Sequence, residues 1–168
     1  MKIIMTGTTS PIGAMLYQHL VKHHTVMSLS RNCGFDLRSK DDLMAFEQSS
    51  KEYDVFLNLA HVGYAQGDIL ARSNATINIS FGSVITEYPW SQTCKFKGPE
   101  YIAEKLFLGY VHNELTNSFL IKLSSYGSGP IPSVTDKQII DMITDVIQGN
   151  TLSSEVILSN GLHDLTQA

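Results

Sequence analysis

The chain has 168 residues, 43 % of them hydrophobic and 17 % charged, a composition that predicts one globular domain over residues 1–168 with a sizeable core. Its formal net charge of −4 excludes a general nucleic-acid binder, because no basic field is present to hold phosphates. No apolar run reaches the roughly 18 residues that cross a bilayer, and MKIIMTG does not have the pattern of a secretory signal. We therefore expect a cytoplasmic protein with no membrane partner. Cys33 and Cys94 lie far apart and lack metal-ligand spacing, so we expect neither a disulfide nor a metal site.

Short apolar strands alternate with helical segments along the chain. The strands are predicted at residues 2–6, 25–30, 54–59, 75–80, 119–125 and 155–159. The helices are predicted at residues 11–23, 39–50, 99–115 and 133–148. This alternation is typical of the α/β class and predicts a doubly wound, Rossmann-type parallel sheet with helices on both faces. The ligand crevice of such a sheet lies at the carboxyl ends of its strands.

The turn TGTTSPIG, residues 6–13, joins the first strand to the first helix. Glycines there permit unusual backbone angles and close approach of a phosphate, while the helix N-terminus offers N–H groups. A tight structural turn remains the alternative interpretation. The predicted phosphate-binding residues are Gly7, Thr8, Thr9, Ser10, Pro11, Ile12 and Gly13.

This turn resembles the TGxxxGxG segment of the short-chain dehydrogenases/reductases, with Pro11 in place of the middle glycine. It also resembles the GxxGxxG of their extended, sugar-nucleotide branch, with Ser10 in the middle place. NLAH resembles the family's NNAG stretch, in which Asn58 and Ala60 match and His61 is substituted. The resemblance spans residues 3–161 and implies an NAD(P)-binding domain in which these three residues line the cofactor site. For His61, a hydrogen-bonded structural role is the alternative.

The second predicted strand ends in Ser30 and Arg31, where an NAD-specific family member carries an acidic residue. A guanidinium at this place clamps a 2′-phosphate, so the resemblance implies NADP as the cofactor, with NAD possible. A solvent-exposed arginine is the alternative. Asp36 and Leu37 resemble the family's Asp-hydrophobe pair beside the adenine ring.

Tyr101 and Lys105 are four residues apart and so share one face of the predicted helix 99–115. They resemble the family's YxxxK, in which the lysine also binds the ribose. A nearby ammonium lowers the pKa of a tyrosine, which would then protonate the oxygen that forms during hydride transfer. The third catalytic residue, a serine after the fifth family strand, is Ser83 or, nearly as well placed, Ser80.

Three further assignments follow from the resemblance. Thr86 is a weaker alternative to the serines, and Asn74 is the asparagine nearest the place from which the family's proton relay is completed. Ser125 and Tyr126, in SSYGSGP, correspond to the loop beside the nicotinamide amide.

Two segments are shorter than in the family. Only 16 residues, 62–77, separate NLAH from NISF, so at most a short helix fits there. The loop 84–98 holds Tyr88, Trp90 and Phe96, which either form a substrate wall or cap the core. We expect a homo-oligomer, in which a second subunit covers the trimmed sheet edge. The residues expected either at that contact or on the sheet are Leu106, Leu108 and Val111.

The sequence therefore predicts an NADP-dependent oxidoreductase that reduces a carbonyl, or oxidises an alcohol, on a small-molecule substrate. The alternative is an NADP-binding sensor or regulatory protein of the same fold that is catalytically weak or inactive. A nucleotide-sugar substrate is a third possibility, suggested by SSYGSG.

Overall fold

The computed structural model describes residues 1–93, 97–124, 126 and 133–160, apart from the side chain of Gln92. Within them, one six-stranded parallel sheet has the order β2-β1-β3-β4-β5-β6. The strands are β1 (Lys2–Thr6), β2 (Thr25–Leu29), β3 (Val55–Asn58), β4 (Ile77–Ser83), β5 (Ser118–Leu123) and β6 (Glu155–Leu158). The predicted parallel α/β sheet is confirmed.

Helices alternate with these strands, as the sequence predicts. They are α1 (Pro11–Leu20), α2 (Lys40–Ser49), α3 (Ala65–Arg72), the four-residue α4 (Trp90–Thr93), α5 (Pro99–Asn113) and α6 (Asp136–Ile147). Short 3-10 turns follow β2, α2 and β4.

The helices cover both faces of the sheet and form a core on each. On one face, Leu16 of α1 and Ile143 of α6 belong to the same buried cluster as the apolar side chains of β1, β3 and β4. On the other face, Phe46 of α2 packs on Phe56 of β3 with 4.8 Å between ring centroids, and Leu108 of α5 joins α3 and β5. The predicted doubly wound arrangement is therefore present.

The chain reverses its direction of winding beside β1. From β1 it moves to the edge strand β2, then crosses to β3 on the other side of β1, and continues outward through β4 and β5 to β6. Thr6 and Asn58, at the carboxyl ends of β1 and β3, are paired in register. This reversal opens a crevice above the two strand ends, which is where ligands bind in open α/β sheets.

Element ends differ from the prediction by up to three residues, and the ends of α1 and β4 show why. Helix α1 ends at Leu20, because the backbone N–H groups of His23 and His24 both donate hydrogen bonds to the Leu20 carbonyl oxygen. Strand β4 runs to Ser83, three residues beyond the predicted end at 80. Its last residues continue to pair with β5, and the absence of a side chain on Gly82 leaves room for Leu120. The apolar run used for the prediction ends before the pairing does.

The short segment between β3 and β4 contains the eight-residue helix α3, in agreement with the expected short substitute. It lies against α5, where Gly67 makes a close approach possible: a Cβ atom on Gly67 would be 2.6 Å from Cδ1 of Phe107. Because α3 lies this close, its first turn reaches the residues of α5 that face the sheet.

None of the helices in the described ranges is both long enough and apolar enough to cross a bilayer.

Helix α6 begins with a reciprocal capping box. The Thr135 hydroxyl accepts from the backbone N–H of Gln138, and the Gln138 side chain accepts from the backbone N–H of Thr135. We expect Thr135→Ala to lower the free energy of unfolding by about 1 kcal/mol in urea denaturation, because an orphan helix donor loses its partner. Thr135→Ser keeps the oxygen and is expected to stay within about 0.5 kcal/mol of the parent protein; an equal loss in both variants would contradict the role of the cap.

Candidate active site

A cleft of about 360 Å³ lies over the carboxyl ends of the strands at the reversal beside β1. Its walls come from the turn after β1, the end of β2, the loop that leads to α2, and the loop after β3. The lining residues are Gly7, Thr9, Ser10, Leu29, Ser30, Arg31, Phe35, Asp36, Leu37, Arg38, Leu59, Ala60, His61 and Val62.

The turn after β1 is built by two glycines that tolerate no side chain. Gly7 has a φ of 75°, and a Cβ on it would be 2.7 Å from the backbone nitrogen of Ala60. A Cβ on Gly13 would be 2.0 Å from the carbonyl oxygen of Gly7. The backbone of the turn therefore packs directly on α1 and on the loop after β3, and a ligand in the cleft reaches the N-terminus of α1.

Ser10 and Pro11 complete the turn. The Ser10 hydroxyl donates to the carbonyl of Gly7 at 2.8 Å and accepts from the N–H of Gly13 at 3.1 Å. It is thus the N-cap of α1, so the hydroxyl predicted to bind phosphate is already engaged within the turn. Pro11 is the first helical residue, where its missing N–H leaves no helix hydrogen bond unmade.

The predicted cofactor residues divide into those that line the cleft and those that do not. The lining ones are Gly7, Thr9, Ser10, Ser30, Arg31, Asp36, Leu37, Ala60 and His61. The residues that lie outside the lining are Thr8, Pro11, Ile12, Gly13, Asn58, Lys105 and Tyr126. The Thr8 hydroxyl is 2.6 Å from that of Ser28, and the Tyr126 hydroxyl donates to Asp136. Ser125, Phe96 and Cys94 lie outside the described residues.

Two arginines, Arg31 and Arg38, line the cleft. Both belong to the stretch between β2 and α2. Asp36 also lines the cleft, and one of its carboxylate oxygens accepts from the backbone N–H of Arg38 at 2.9 Å. The two cationic residues make this part of the cleft suited to an anionic group.

A buried polar network starts at Asn58, the last residue of β3. Its amide nitrogen donates to the carbonyl of Gln66 at 2.9 Å and to the hydroxyl of Ser80 at 3.2 Å. Asn58 and Ser80 are both 0 % exposed. Ser80 therefore lies inside β4, which continues to Ser83, and its hydroxyl belongs to this network.

Lys105 is buried and is held by Gln66. Its ammonium donates to Oε1 of Gln66 at 2.8 Å and to the carbonyl oxygen of Phe81 at 3.3 Å. Burial lowers the pKa of Lys105 to about 8, while Glu104 opposes the shift. An ammonium has three donors, so one donor is left after these two bonds.

Tyr101 lies beside Lys105 on α5 and hydrogen-bonds with Ser83. Of the two candidate serines, Ser83 is thus the one in contact with Tyr101. Burial raises the pKa of Tyr101; the hydrogen bond with Ser83 opposes that rise, and Glu104 adds to it. The predicted lowering by Lys105 is absent, because the ammonium is 5.7 Å from the ring centroid and donates to Gln66 instead.

His61 connects the cleft to Tyr101. Its Nε2 is 3.0 Å from a carboxylate oxygen of Glu104, and its ring meets that of Tyr101 edge-on with 5.0 Å between centroids. The pKa of His61 is lowered by burial and by the charge of Lys105, whereas Glu104 and a hydrogen bond with Gln66 oppose the shift. The histidine therefore contacts Glu104, Gln66 and Tyr101 as well as lining the cleft.

The asparagine assignment is wrong. Asn74 precedes β4, at the opposite end of the sheet, and its side chain donates to the carbonyl of Glu47. The residue that accepts a hydrogen bond from Lys105 is instead Gln66 of α3. Thr86 donates to the carbonyl of Ser83 and lies one turn beyond it.

No protein-family model matches the sequence, and no curated protein does. Solved structures do match it. A dTDP-4-dehydrorhamnose reductase from Clostridium acetobutylicum has a TM-score of 0.73 at 13 % identity over 96 % of this chain and 75 % of the other. The oxidoreductase ylbE from Lactococcus lactis has a TM-score of 0.71 at 15 % identity over 99 % and 94 %. A short-chain dehydrogenase from Burkholderia cenocepacia, solved with NADP, has a TM-score of 0.68 at 13 % identity over 99 % and 91 %.

The chain shares the Rossmann-type α/β fold of these proteins. Three polar residues of the site were missed by the sequence analysis: Gln66, Glu104 and Arg38. Glu104 is inside the YxxxK stretch, and Arg38 follows Asp36 and Leu37 directly, so position in a motif could have drawn attention to both. Gln66 gives no signal of its own, because only the packing of α3 on α5 brings it to Lys105.

Proposed function

We propose that the protein is an NADP-dependent oxidoreductase that reduces a carbonyl, or oxidises an alcohol, on a small molecule. The observation that carries this proposal is the continuity of the site. The cleft is lined by Arg31, Arg38 and His61. The ring of His61 contacts Tyr101, which is hydrogen-bonded with Ser83 beside Lys105. A proton donor and a buried cation thus lie next to a groove with the features of a dinucleotide site.

The cleft residues fit the parts of NADP. The tight Gly7–Gly13 turn and the start of α1 would hold the diphosphate, and Asp36 and Leu37 would lie beside the adenine. Arg31 and Arg38 would bind the 2′-phosphate. Lys105 would give its remaining donor to the ribose, and Tyr126 would lie near the nicotinamide amide.

The bound cofactor supplies hydride to the substrate's carbonyl carbon. Tyr101 delivers the proton to the carbonyl oxygen as the charge on that oxygen develops, and Ser83 donates a hydrogen bond to the same oxygen. Burial keeps Tyr101 protonated until the proton is needed. Lys105, held by Gln66 and Phe81, would act through the ribose of the cofactor rather than through the pKa of Tyr101. Ser80 has a supporting role through Asn58.

Arginine at the end of β2 predicts a preference for the phosphorylated dinucleotide. We expect Arg31→Ala to weaken NADPH binding about 10- to 100-fold and to change NADH binding little, because one charged hydrogen-bond partner of the 2′-phosphate is lost. Isothermal titration calorimetry measures both affinities. Arg72→Ala is the control, since Arg72 pairs with Glu47 away from the cleft. Equal loss for both dinucleotides would contradict a 2′-phosphate site at Arg31.

The activity itself is tested with a panel of aldehydes and ketones, following NADPH oxidation. The proposal predicts turnover of at least one compound class that saturates with both NADPH and carbonyl. If dinucleotide binds but no carbonyl in a broad panel is turned over, the proposal of an enzyme fails.

A sensor without catalysis is the second candidate. Two observations favour it: the pKa of Tyr101 is raised rather than lowered, and the Ser10 hydroxyl is committed to the helix cap. Such a protein binds NADP(H) through the same cleft and reports the state of the nucleotide pool to a partner.

We also propose that the protein forms a homo-oligomer through α5. Leu106 and Tyr110 of this helix are 50 % and 63 % exposed, and Tyr64, just before α3, is 51 % exposed. Leu108 and Val111 are buried and pack on the sheet side instead. Light scattering coupled to size-exclusion chromatography tests the assembly; a monomer at micromolar concentration would contradict it.

A further inference from the structure

His61 has a carboxylate beside its ring. Its Nε2 lies 3.0 Å from a carboxylate oxygen of Glu104, and the side chain of Gln66 also hydrogen-bonds with His61. The orientation of the Gln66 amide is fixed by its nitrogen, which donates to the carbonyl oxygens of Asn58 at 3.1 Å and Phe81 at 3.3 Å. The amide oxygen of Gln66 accepts from the ammonium of Lys105 at 2.8 Å.

Protonation of His61 completes an ion pair with Glu104, and the contacts with Glu104 and Gln66 both favour the charged form. Two influences oppose protonation: burial of the ring and the nearby ammonium of Lys105. His61 therefore lies between a carboxylate that favours the charged form and a cation that disfavours it.

The same ring lines the proposed dinucleotide cleft together with Gly7 and Ala60. A dinucleotide in this cleft adds at least two negative charges, and negative charge near an imidazole favours its protonated form. The charged and titratable groups that face His61 or the cleft are Glu104, Lys105 and Tyr101 of α5, Lys97 over the Tyr101 ring, and Arg31, Asp36 and Arg38 on the opposite wall. An entering diphosphate offsets the cations in this set.

We propose that the His61–Glu104 pair takes up a proton when an anionic dinucleotide enters the cleft, so that nucleotide binding and protonation of His61 are coupled. This inference rests on the proposed nucleotide site and adds a proton-linked control to it. The sign follows from linkage: the complex binds more protons than the free protein. Affinity therefore rises as pH falls from the pKa of His61 in the complex toward its lower pKa in the free protein, and it levels off below the latter.

Calorimetric titration with NADH in two buffers of different ionisation enthalpy measures the proton uptake directly. NADH is used because it lacks a 2′-phosphate, which itself titrates near pH 6. At about pH 6.5 Lys105, with a pKa of about 8, is already charged before the ligand arrives and contributes no uptake. The variants are His61→Gln, which cannot take a proton, and His19→Gln, a matched change on α1 that lies outside the cleft lining.

The expected result is uptake of a fraction of a proton per NADH in the parent protein and in His19→Gln, and uptake near zero in His61→Gln. Equal uptake in all three proteins, or none in the parent, would overturn the coupling and leave the nucleotide site intact. No detectable NADH or NADPH binding would overturn the nucleotide site and the coupling together. NMR titration of the His61 ring in the parent protein, with and without NADH, gives a second reading, in which the bound form must have the higher pKa.

Discussion

Replacement of Tyr101 by phenylalanine is expected to lower kcat for carbonyl reduction by about 10²- to 10⁴-fold. The change removes one oxygen and leaves the ring that packs edge-on against His61. Without the hydroxyl, the site loses its proposed proton donor to the substrate oxygen. Dinucleotide affinity is expected to stay within about twofold of the parent value, because Tyr101 is absent from the lining of the cleft.

The measurement combines steady-state kinetics with calorimetric binding of NADPH. Tyr110→Phe is the matched control, because Tyr110 lies on the same helix and is 63 % exposed. The control is expected to keep full activity. Unchanged kcat in Tyr101→Phe would remove Tyr101 from the mechanism. Binding without turnover in the parent protein would select the sensor instead.

A methyl group on Gly13 is expected to disrupt both the turn and the nucleotide site. The added Cβ would lie 2.0 Å from the carbonyl oxygen of Gly7 and 3.0 Å from the Ser10 hydroxyl. Neither backbone can move freely, since Gly7 in turn lies against Ala60. We expect Gly13→Ala to lower the free energy of unfolding by about 3 kcal/mol and to abolish detectable NADPH binding.

Gly109 provides the control for this substitution. It lies within α5, and a Cβ on it has no heavy atom within 4 Å. Gly109→Ala is therefore expected to stabilise the protein by about 0.5–1 kcal/mol in urea denaturation, through helix propensity alone. If Gly13→Ala were as stable as the parent protein and still bound NADPH, the close packing of this turn would not be needed for stability or for nucleotide binding.

The sequence is sufficient to predict the sheet and the helices. Apolar runs such as that of β1, the proline at the start of α1 and the helical face of α5 are local signals, and each was found within a few residues of its predicted place. The lining of the cleft by Ser30, Arg31, Asp36 and Leu37 was also predicted, because each lies just after a strand or in the loop that follows.

The side-chain contacts between different helices and strands, and the pKa shifts that follow from them, were harder to predict. Gln66 meets Lys105 because α3 is short and packs closely on α5, which depends on the contact between Gly67 and Phe107. Lys105 was predicted to lower the pKa of Tyr101, but burial raises that pKa and Lys105 is not among its causes, because helical spacing gives proximity but not the direction in which an ammonium donates. Likewise, Ser80 is buried because β4 continues to pair with β5 beyond it, and no local sequence pattern indicates that pairing.

A crystal structure of the protein with NADP bound is the decisive measurement of the proposed nucleotide site. We predict the diphosphate against residues 7–13, the 2′-phosphate between Arg31 and Arg38, and a ribose hydroxyl within hydrogen-bond distance of Lys105. A dinucleotide bound at another surface, or crystals grown with saturating NADP whose cleft holds none, would contradict it.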